Sequence, residues 1–196
     1  SIKKNEEKYK QKVFVIKMKN AEYKILLFGA SGQLGYELHK RLKLLGKVCA
    51  PTRKKFDFEQ PEKLRKIIRE NAPHLIVNAA AYNAVDKAEV DTHIANKINN
   101  LAPQILAEEA RVFESILIHY SSDYVFDGRK ENSYLECDIP NPLSVYGKTK
   151  LAGESAVMGN CERHFVFRTS WIYGFHGQNF LKTILRLANE RNDLRI

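Results

Sequence analysis

The chain predicts an α/β fold, a Rossmann-like doubly wound parallel sheet, and three observations carry that prediction. Short apolar and β-branched runs alternate with segments of helical periodicity from residue 23 onward. A glycine-rich turn stands between the first such run and the first helical segment. No internal repeat, low-complexity tract or linker interrupts residues 23–196. Strands that alternate with helices pair in parallel through crossovers, and such a sheet binds its ligand in the crevice at the carboxyl ends of the strands.

The elements follow in order. Lys24–Gly29 is an apolar run ending in glycine, expected as a buried strand. Gln33–Leu45 has leucines at 34, 38, 42 and 45, a helical spacing, and Gly46 stops it. Lys47–Ala50 is expected as a second short strand. Pro61–Asn71 is expected as a helix, with proline in its first turn and Leu64, Ile67 and Ile68 on one face. His74–Asn78 is expected as a third strand. Asp86–Ala110 is expected to be largely helical, with a break near Asn100 and Pro103. Ser115–Ser121 is a fourth strand, Ser144–Met158 a helix after Pro142, His164–Thr169 a fifth strand and Asn179–Arg191 a last helix.

The totals exclude several classes. A 196-residue chain that is 44% hydrophobic and 28% charged is globular rather than disordered. The net charge of +9 invites a nucleic-acid reading, but residues 1–24 hold eight Lys and three Glu, so +5 sits there and +4 is left for the rest. A basic tail is ordinarily solvated, so no nucleic-acid partner is expected. Cys49, Cys137 and Cys161 are widely spaced, without a C-x-x-C or a histidine pair, so no metal is expected. The odd, unpatterned cysteines fit reduced thiols in a cytoplasm. Apolar runs such as Ile25–Phe28 are too short to cross a bilayer, and Val13–Ile16 is too short for a secretory signal, so no membrane partner is expected.

Residues 1–22 read as a basic extension and 23–196 as one nucleotide-binding domain. Met18 is the expected natural start. Peptides from residues 1–17 in protein made from the native locus would refute that.

Gly29-Ala30-Ser31-Gly32-Gln33-Leu34-Gly35 follows a strand and opens a helix. Glycines there allow a tight turn and let backbone N–H groups reach a pyrophosphate, which the helix N-terminus also attracts. The spacing is G-x-x-G-x-x-G rather than G-x-G-x-x-G. After the second strand, Pro51-Thr52-Arg53-Lys54-Lys55 holds no acid for a ribose 2′-hydroxyl. Arg53 and its basic neighbours suit a 2′-phosphate instead, so NADPH is expected, with NADH the alternative. Asp57 lies close enough in sequence to sit beside the adenine.

Tyr146 and Lys150 stand at i and i+4, on one helix face. A lone tyrosine is a poor acid at neutral pH, and a nearby ammonium is expected to lower its acid constant. In His119-Tyr120-Ser121-Ser122-Asp123 the hydroxyls come just after a strand, on the sheet edge that holds the glycine loop. One of them suits a substrate carbonyl, and the competing reading is a turn-forming serine.

Together with Asn78–Tyr82, Val85–Glu89, Ser121–Gly128, Asn141–Lys148, Lys150–Glu154 and Arg168–Gly174, the glycine loop makes seven ordered segments. In these the chain resembles the dTDP-4-dehydrorhamnose reductases, of the extended short-chain dehydrogenase/reductase type, over about residues 23–196. The resemblance implies reduction of the C4 ketone of dTDP-4-dehydro-β-L-rhamnose by NADPH or NADH, a step of nucleotide-sugar and polysaccharide biosynthesis. It implies that Gly32, Gln33 and Leu34 hold the cofactor phosphates between Gly29 and Gly35. Asp57 and Phe58 would lie near the adenine, and Ala81, Tyr82 and Asn83 along the nicotinamide side. Tyr146 would donate the proton, Lys150 would bind the nicotinamide ribose and Ser122 would polarise the carbonyl. Asp123 and Trp171 would contact the sugar.

Ser122 and Asn83 stand where the family usually has threonine. The family's C-terminal substrate region lies beyond residue 196, so activity of this chain alone stays an open expectation. Glu37 matches one ligand of a Mg2+ site at a dimer interface of some members, but no complete Mg2+ site is expected; the resemblance admits a homodimer. The alternative is a non-catalytic NADP-binding subunit similar to the regulatory subunit of methionine adenosyltransferase, which has a like S-S-D-Y-V-F-D-G segment.

Overall fold

A computed structural model describes residues 23–52, 60–191 and 193. Residues 1–17, Met18, Arg53, Asp57 and Phe58 lie outside the described residues. The strands are β1 (Lys24–Phe28), β2 (Lys47–Cys49), β3 (Leu75–Asn78), β4 (Ile116–Ser122) and β5 (His164–Thr169). Among the described residues they form one five-stranded parallel sheet in the order β2-β1-β3-β4-β5. The strand order reverses between β1 and β3, and their carboxyl ends open the crevice the sequence predicts.

The helices are α1 (Gln33–Leu42), α2 (Pro61–Asn71), α3 (Val85–Ala88), α4 (Thr92–Asn96), α5 (Ala102–Val112), α6 (Val145–Asn160) and α7 (Phe180–Glu190). Alternation along β1 sends Leu26 and Phe28 to one face of the sheet and Ile25 and Leu27 to the other. The first pair packs with Leu64, Ile68, Leu106, Leu117 and Val157, under α2, α5 and α6. The second packs with Leu42, Leu75 and Val77, under α1. Between α2 and α5, buried Glu109 takes Arg65 at 3.0 Å and Arg69 at 2.8 Å.

Three expectations need correction. The first helix ends at Leu42, three residues early, and Leu44 and Leu45 are exposed. Leu45 fits the leucine period, but Leu44 and Leu45 N–H bond to the carbonyls three residues back, Arg41 and Leu42, which tightens the last turn and takes Leu45 off the helix face. The long helix does not break at Asn100. It breaks at residues 89–91, and Lys97–Leu101 continues as a π segment into α5. Pro103 lies in the first turn of α5, where its missing N–H costs little. Asp123–Val125 forms one turn of 3₁₀ helix, because Ser122 Oγ accepts from Tyr124 N–H at 3.2 Å. Ser144 and Asn179, expected inside helices, are N-caps of α6 and α7.

Candidate functional site

A cleft of about 380 Å³ opens at the carboxyl ends of β1, β3, β4 and β5. Its volume falls in the range of cofactor and small-ligand sites. Gly32, Gln33, Leu34, Ala81, Asn83, Ser122, Asp123, Tyr146, Lys150 and Trp171 all line it, so the topology gathers residues that are far apart in sequence. Gly29, Gly35 and Tyr82 do not line it.

Gly29 and Gly35 build the loop from below. Gly29 has φ +82°, and a Cβ there would lie 2.6 Å from the Ala79 backbone. A Cβ on Gly35 would overlap the Gly29 carbonyl. The two glycines therefore let the first turn of α1 sit against the end of β1. Gly32 N–H closes the loop on Gly29 C=O at 3.0 Å. The N-terminus of α1 has no side-chain cap and no acidic residue in its first turn. Gly32, Gln33 and Leu34 at this uncapped end line the cleft, so this cradle fits a dinucleotide pyrophosphate.

The loop after β3 is fixed by a residue the sequence reading missed. Asn99, buried in the π segment, accepts from Tyr82 N–H at 2.9 Å through Oδ1. Its Nδ2 donates to Tyr82 C=O and to Thr149 Oγ1, both at 3.2 Å. Thr149 in turn donates to Tyr146 C=O at 2.9 Å. One amide thus ties the Ala81–Asn83 loop to the helix that carries Tyr146 and Lys150. The Tyr82 phenol turns to Asp91 at 2.8 Å, which leaves the lining to its neighbours Ala81 and Asn83. The Asn99-Asn100 pair just before Pro103 was the available signal: two poor helix formers in the middle of a helical pattern.

Helix α6 starts with two caps. Ser144 Oγ accepts from Gly147 N–H at 3.1 Å, and Glu89 Oε1 accepts from Val145 N–H at 2.8 Å. That places Tyr146 beside Ser122 and edge-on to Tyr124, with ring centroids 5.5 Å apart. Burial pushes the Tyr146 phenol above its ordinary value, hydrogen bonding with Ser122 draws it down, and Asp123 and Tyr124 raise it. The expected lowering by Lys150 is corrected here. The Lys150 ammonium is bonded to Tyr120 C=O at 2.6 Å, and burial, with Ser122, Asp123 and Tyr124, sets the phenol's shift. Burial also draws Lys150 down to about 8, with Glu154 opposing. Buried Glu154 is itself gripped by Arg168, at 3.0 Å through Nε and 2.7 Å through Nη2, so it is not free to take the lysine.

Trp171 stands at the far wall with φ +50° and stays largely exposed, edge-on to Phe180 at 5.0 Å. The loop that follows folds back over the glycine loop. Asn179 Nδ2 donates to Gln33 Oε1 at 3.0 Å, and His176 stacks on Tyr36 with ring centroids 3.9 Å apart. Glu37 is exposed and paired with Lys40 at 3.0 Å.

A doubly wound sheet with a glycine loop and a Tyr-x-x-x-Lys helix facing one cleft defines the extended short-chain dehydrogenase/reductase type. The family described as RmlD substrate binding domain matches residues 23–196. The chain belongs to that family. It is 47% identical over 176 residues to a dTDP-4-dehydrorhamnose reductase of Escherichia coli strain K12, covering 88% of this chain and 59% of that protein. Among solved structures, a dTDP-4-dehydrorhamnose reductase of Clostridium acetobutylicum superposes with a TM-score of 0.84 at 39% identity, covering 87% of this chain and 61% of that one. A Bacillus anthracis dTDP-4-dehydrorhamnose reductase, solved in complex with NADP, superposes with a TM-score of 0.83 at 34% identity, covering 87% and 61%. The chain spans about three-fifths of the length of these relatives.

Proposed function

We propose that this chain carries the cofactor-binding and proton-donating part of a reductase acting on the C4 ketone of dTDP-4-dehydro-β-L-rhamnose. The observation that supports it most is the convergence of Ser122, Tyr146 and Lys150 on the cleft that also holds the uncapped glycine loop. The named relatives are dTDP-4-dehydrorhamnose reductases, and one of them is solved with NADP. NADPH, when bound, supplies the hydride that reaches C4. The residues of this chain do the rest.

The phenol of Tyr146 is held above its ordinary acid constant, so it carries its proton at neutral pH. A group that must give a proton to a developing alkoxide needs that state. The new C–H bond takes the hydride and the oxygen takes the Tyr146 proton, which balances the reduction of ketone to alcohol. The Ser122 O–H, which donates to Asp123 Oδ1 at 3.0 Å in the structure, turns to the carbonyl oxygen and polarises it. The buried Lys150 ammonium binds the nicotinamide ribose and offsets the negative charge left on Tyr146 as the proton leaves. Gly32, Gln33 and Leu34 hold the phosphates, while Asp123 and Trp171 position the sugar. A 2′-phosphate on Arg53, an adenine beside Asp57 and Phe58, a cytoplasmic location and a homodimer belong to the same reading.

The test is NADPH oxidation by the 196-residue chain with dTDP-4-dehydrorhamnose. Substrate-dependent oxidation that disappears in Tyr146→Phe supports the proposal. Oxidation that persists undiminished in Tyr146→Phe removes the proton-donor role. If there is no oxidation even after a family-type C-terminal segment is joined to residue 196, the reductase reading fails.

A further inference from the structure

His119 puts a polar ring where a buried parallel strand ordinarily carries an apolar side chain. It is 1% exposed, and strand alternation sets it with Leu117 and Ser121 on the face covered by α5 and α6. Its register partner on β3 is Asn78, also buried. Asn78 Oδ1 accepts from Ala80 N–H at 3.2 Å, which leaves Nδ2 to face His119 Nδ1 at 3.1 Å. An amide NH2 only donates, so Nδ1 accepts and the ring proton sits on Nε2. A second proton would set N–H against N–H. Burial and the Lys150 charge also hold the imidazole well below its ordinary value.

That Nε2–H is buried without a partner in the structure, and so is the Ser121 hydroxyl two residues on. Tyr120, between them, offers its carbonyl to Lys150. It is the one hydrogen-bond acceptor of the ammonium among the described residues, although an ammonium has three N–H groups. His119 and Ser121 thus share the α6-covered face of β4, while Lys150 is bonded to the carbonyl between them and its charge acts on the His119 ring. Three polar groups with unspent hydrogen-bonding capacity therefore lie along one stretch of β4 at the floor of the cleft. Alternate side chains on a strand stand about 7 Å apart, a span that one bridging molecule closes.

We propose that His119 is a positioning residue for Lys150, and that its Nε2–H and the Ser121 hydroxyl bind one buried water. The water accepts from His119 Nε2–H and from the Lys150 ammonium, and donates to Ser121 Oγ. About three hydrogen bonds is the usual complement of a buried water. The water gives the ammonium a second acceptor, so Lys150 keeps its charge near neutral pH although burial draws it down to about 8. The neutral ring adds no repulsion. Among the described residues, the other charged or titratable groups around Lys150 are Glu154 and Tyr146 on α6, Tyr120 on β4, Asp123 and Tyr124 beyond β4, and Arg168 on β5, which holds Glu154.

The inference rests on the proposed role of Lys150 only for its bearing on turnover, so the test reads the lysine and the ring directly. Histidine ¹⁵N and lysine ¹³Cε NMR are recorded against pH on the chain, with Lys150→Met to assign the lysine signal. In the unmodified chain His119 shows the Nε2–H tautomer and does not titrate between about pH 5 and 8. Ser121→Ala and His119→Leu each lower the Lys150 midpoint by about one pH unit, a tenfold change in acid constant. His119→Gln, which keeps a donor near the Nε2 position, restores at least half of that. An Nδ1–H or charged ring overturns the proposal. So does a Lys150 midpoint that stays put in folded Ser121→Ala. If His119→Leu does not fold, the wild-type tautomer and Ser121→Ala decide. A lysine that shifts as expected in a chain without ketosugar reduction keeps the water site and fails the functional reading.

Discussion

The two faces of the sheet are finished to different degrees. Under α2, α5 and α6 the packing is closed: Leu64, Ile68, Leu106, Leu117 and Val157 are fully buried. On the other face, α1 covers β1 and β3, but toward β5 Phe165 is 56% and Phe167 46% exposed, and α7 buries no residue. Tyr146 and Lys150 ride on α6, a helix of the closed face, and Asn99, Glu89 and Arg168 tie that helix from three other elements. The lesson is that the groups proposed to react are placed by the half of the molecule with least freedom. The half-open face carries apolar surface that contributes little to holding the site.

The sharpest way to test that division is Tyr146→Phe. It removes one hydroxyl from the closed side and leaves the glycine loop intact. Turnover is expected to fall about 100- to 10,000-fold, the range for losing a positioned acid, while the NADPH dissociation constant moves less than about threefold. Steady-state kinetics and a fluorescence titration measure the two. Equal losses in both would mean that the phenol holds the site together rather than donating a proton.

Next in size is a matched pair of core truncations. Leu117→Ala on the closed face is expected to cost about 2–5 kcal/mol, for lost burial and the cavity left behind. Phe167→Ala on the open face should cost about 1 kcal/mol or less, because nearly half the ring is already in solvent. Urea unfolding compares them. If Phe167→Ala proves as costly as Leu117→Ala, the open face is covered in solution.

The closed side was also the more legible in the sequence. All five strands, the α2 boundaries and the shared face of Tyr146 and Lys150 follow from apolar runs, a proline and an i, i+4 spacing, which are local signals. The gathering of Gly32, Ser122, Tyr146 and Trp171 in one cleft was legible too, because a doubly wound sheet dictates where its strands end. The Asn99-Asn100 pair marks an irregular point in the helix, but the partners Tyr82 and Thr149 lie 17 and 50 residues away from Asn99, so the chain pattern does not say what it clamps. The raised phenol of Tyr146 escaped for a related reason. Spacing puts a lysine near a tyrosine, but only packing shows that Lys150 turns to Tyr120 and that burial prevails.

Asn99→Ala tests whether the clamp joins the two parts of the site. It strands Tyr82 N–H and C=O, so stability should fall by about 1–3 kcal/mol. The NADPH dissociation constant should rise several-fold as the Ala81–Asn83 loop loosens. Thermal melting and cofactor titration read these. A loss of stability with unchanged cofactor affinity would make Asn99 a core residue and no more.

The pH dependence of Lys150 is the most diagnostic effect, because activity and stability should move in opposite directions. Lys150 is drawn to about 8 in the folded chain, against an ordinary value near 10.4. Below pH 8 both folded and unfolded chains bind this proton, and the cost of burying the charge is fully present. Between about pH 8 and 10 the unfolded chain still binds it and the folded chain does not, so this group's contribution to stability rises with pH. The role proposed for Lys150 needs the ammonium, so turnover and cofactor binding should fall across the same window, by at most about tenfold per pH unit. Tyr146 is shifted upward and does not set this limb. Lys150→Met should abolish the rise in stability seen in urea melts from pH 8 to 10. If the rise survives in Lys150→Met, another group on the closed face is the one that titrates.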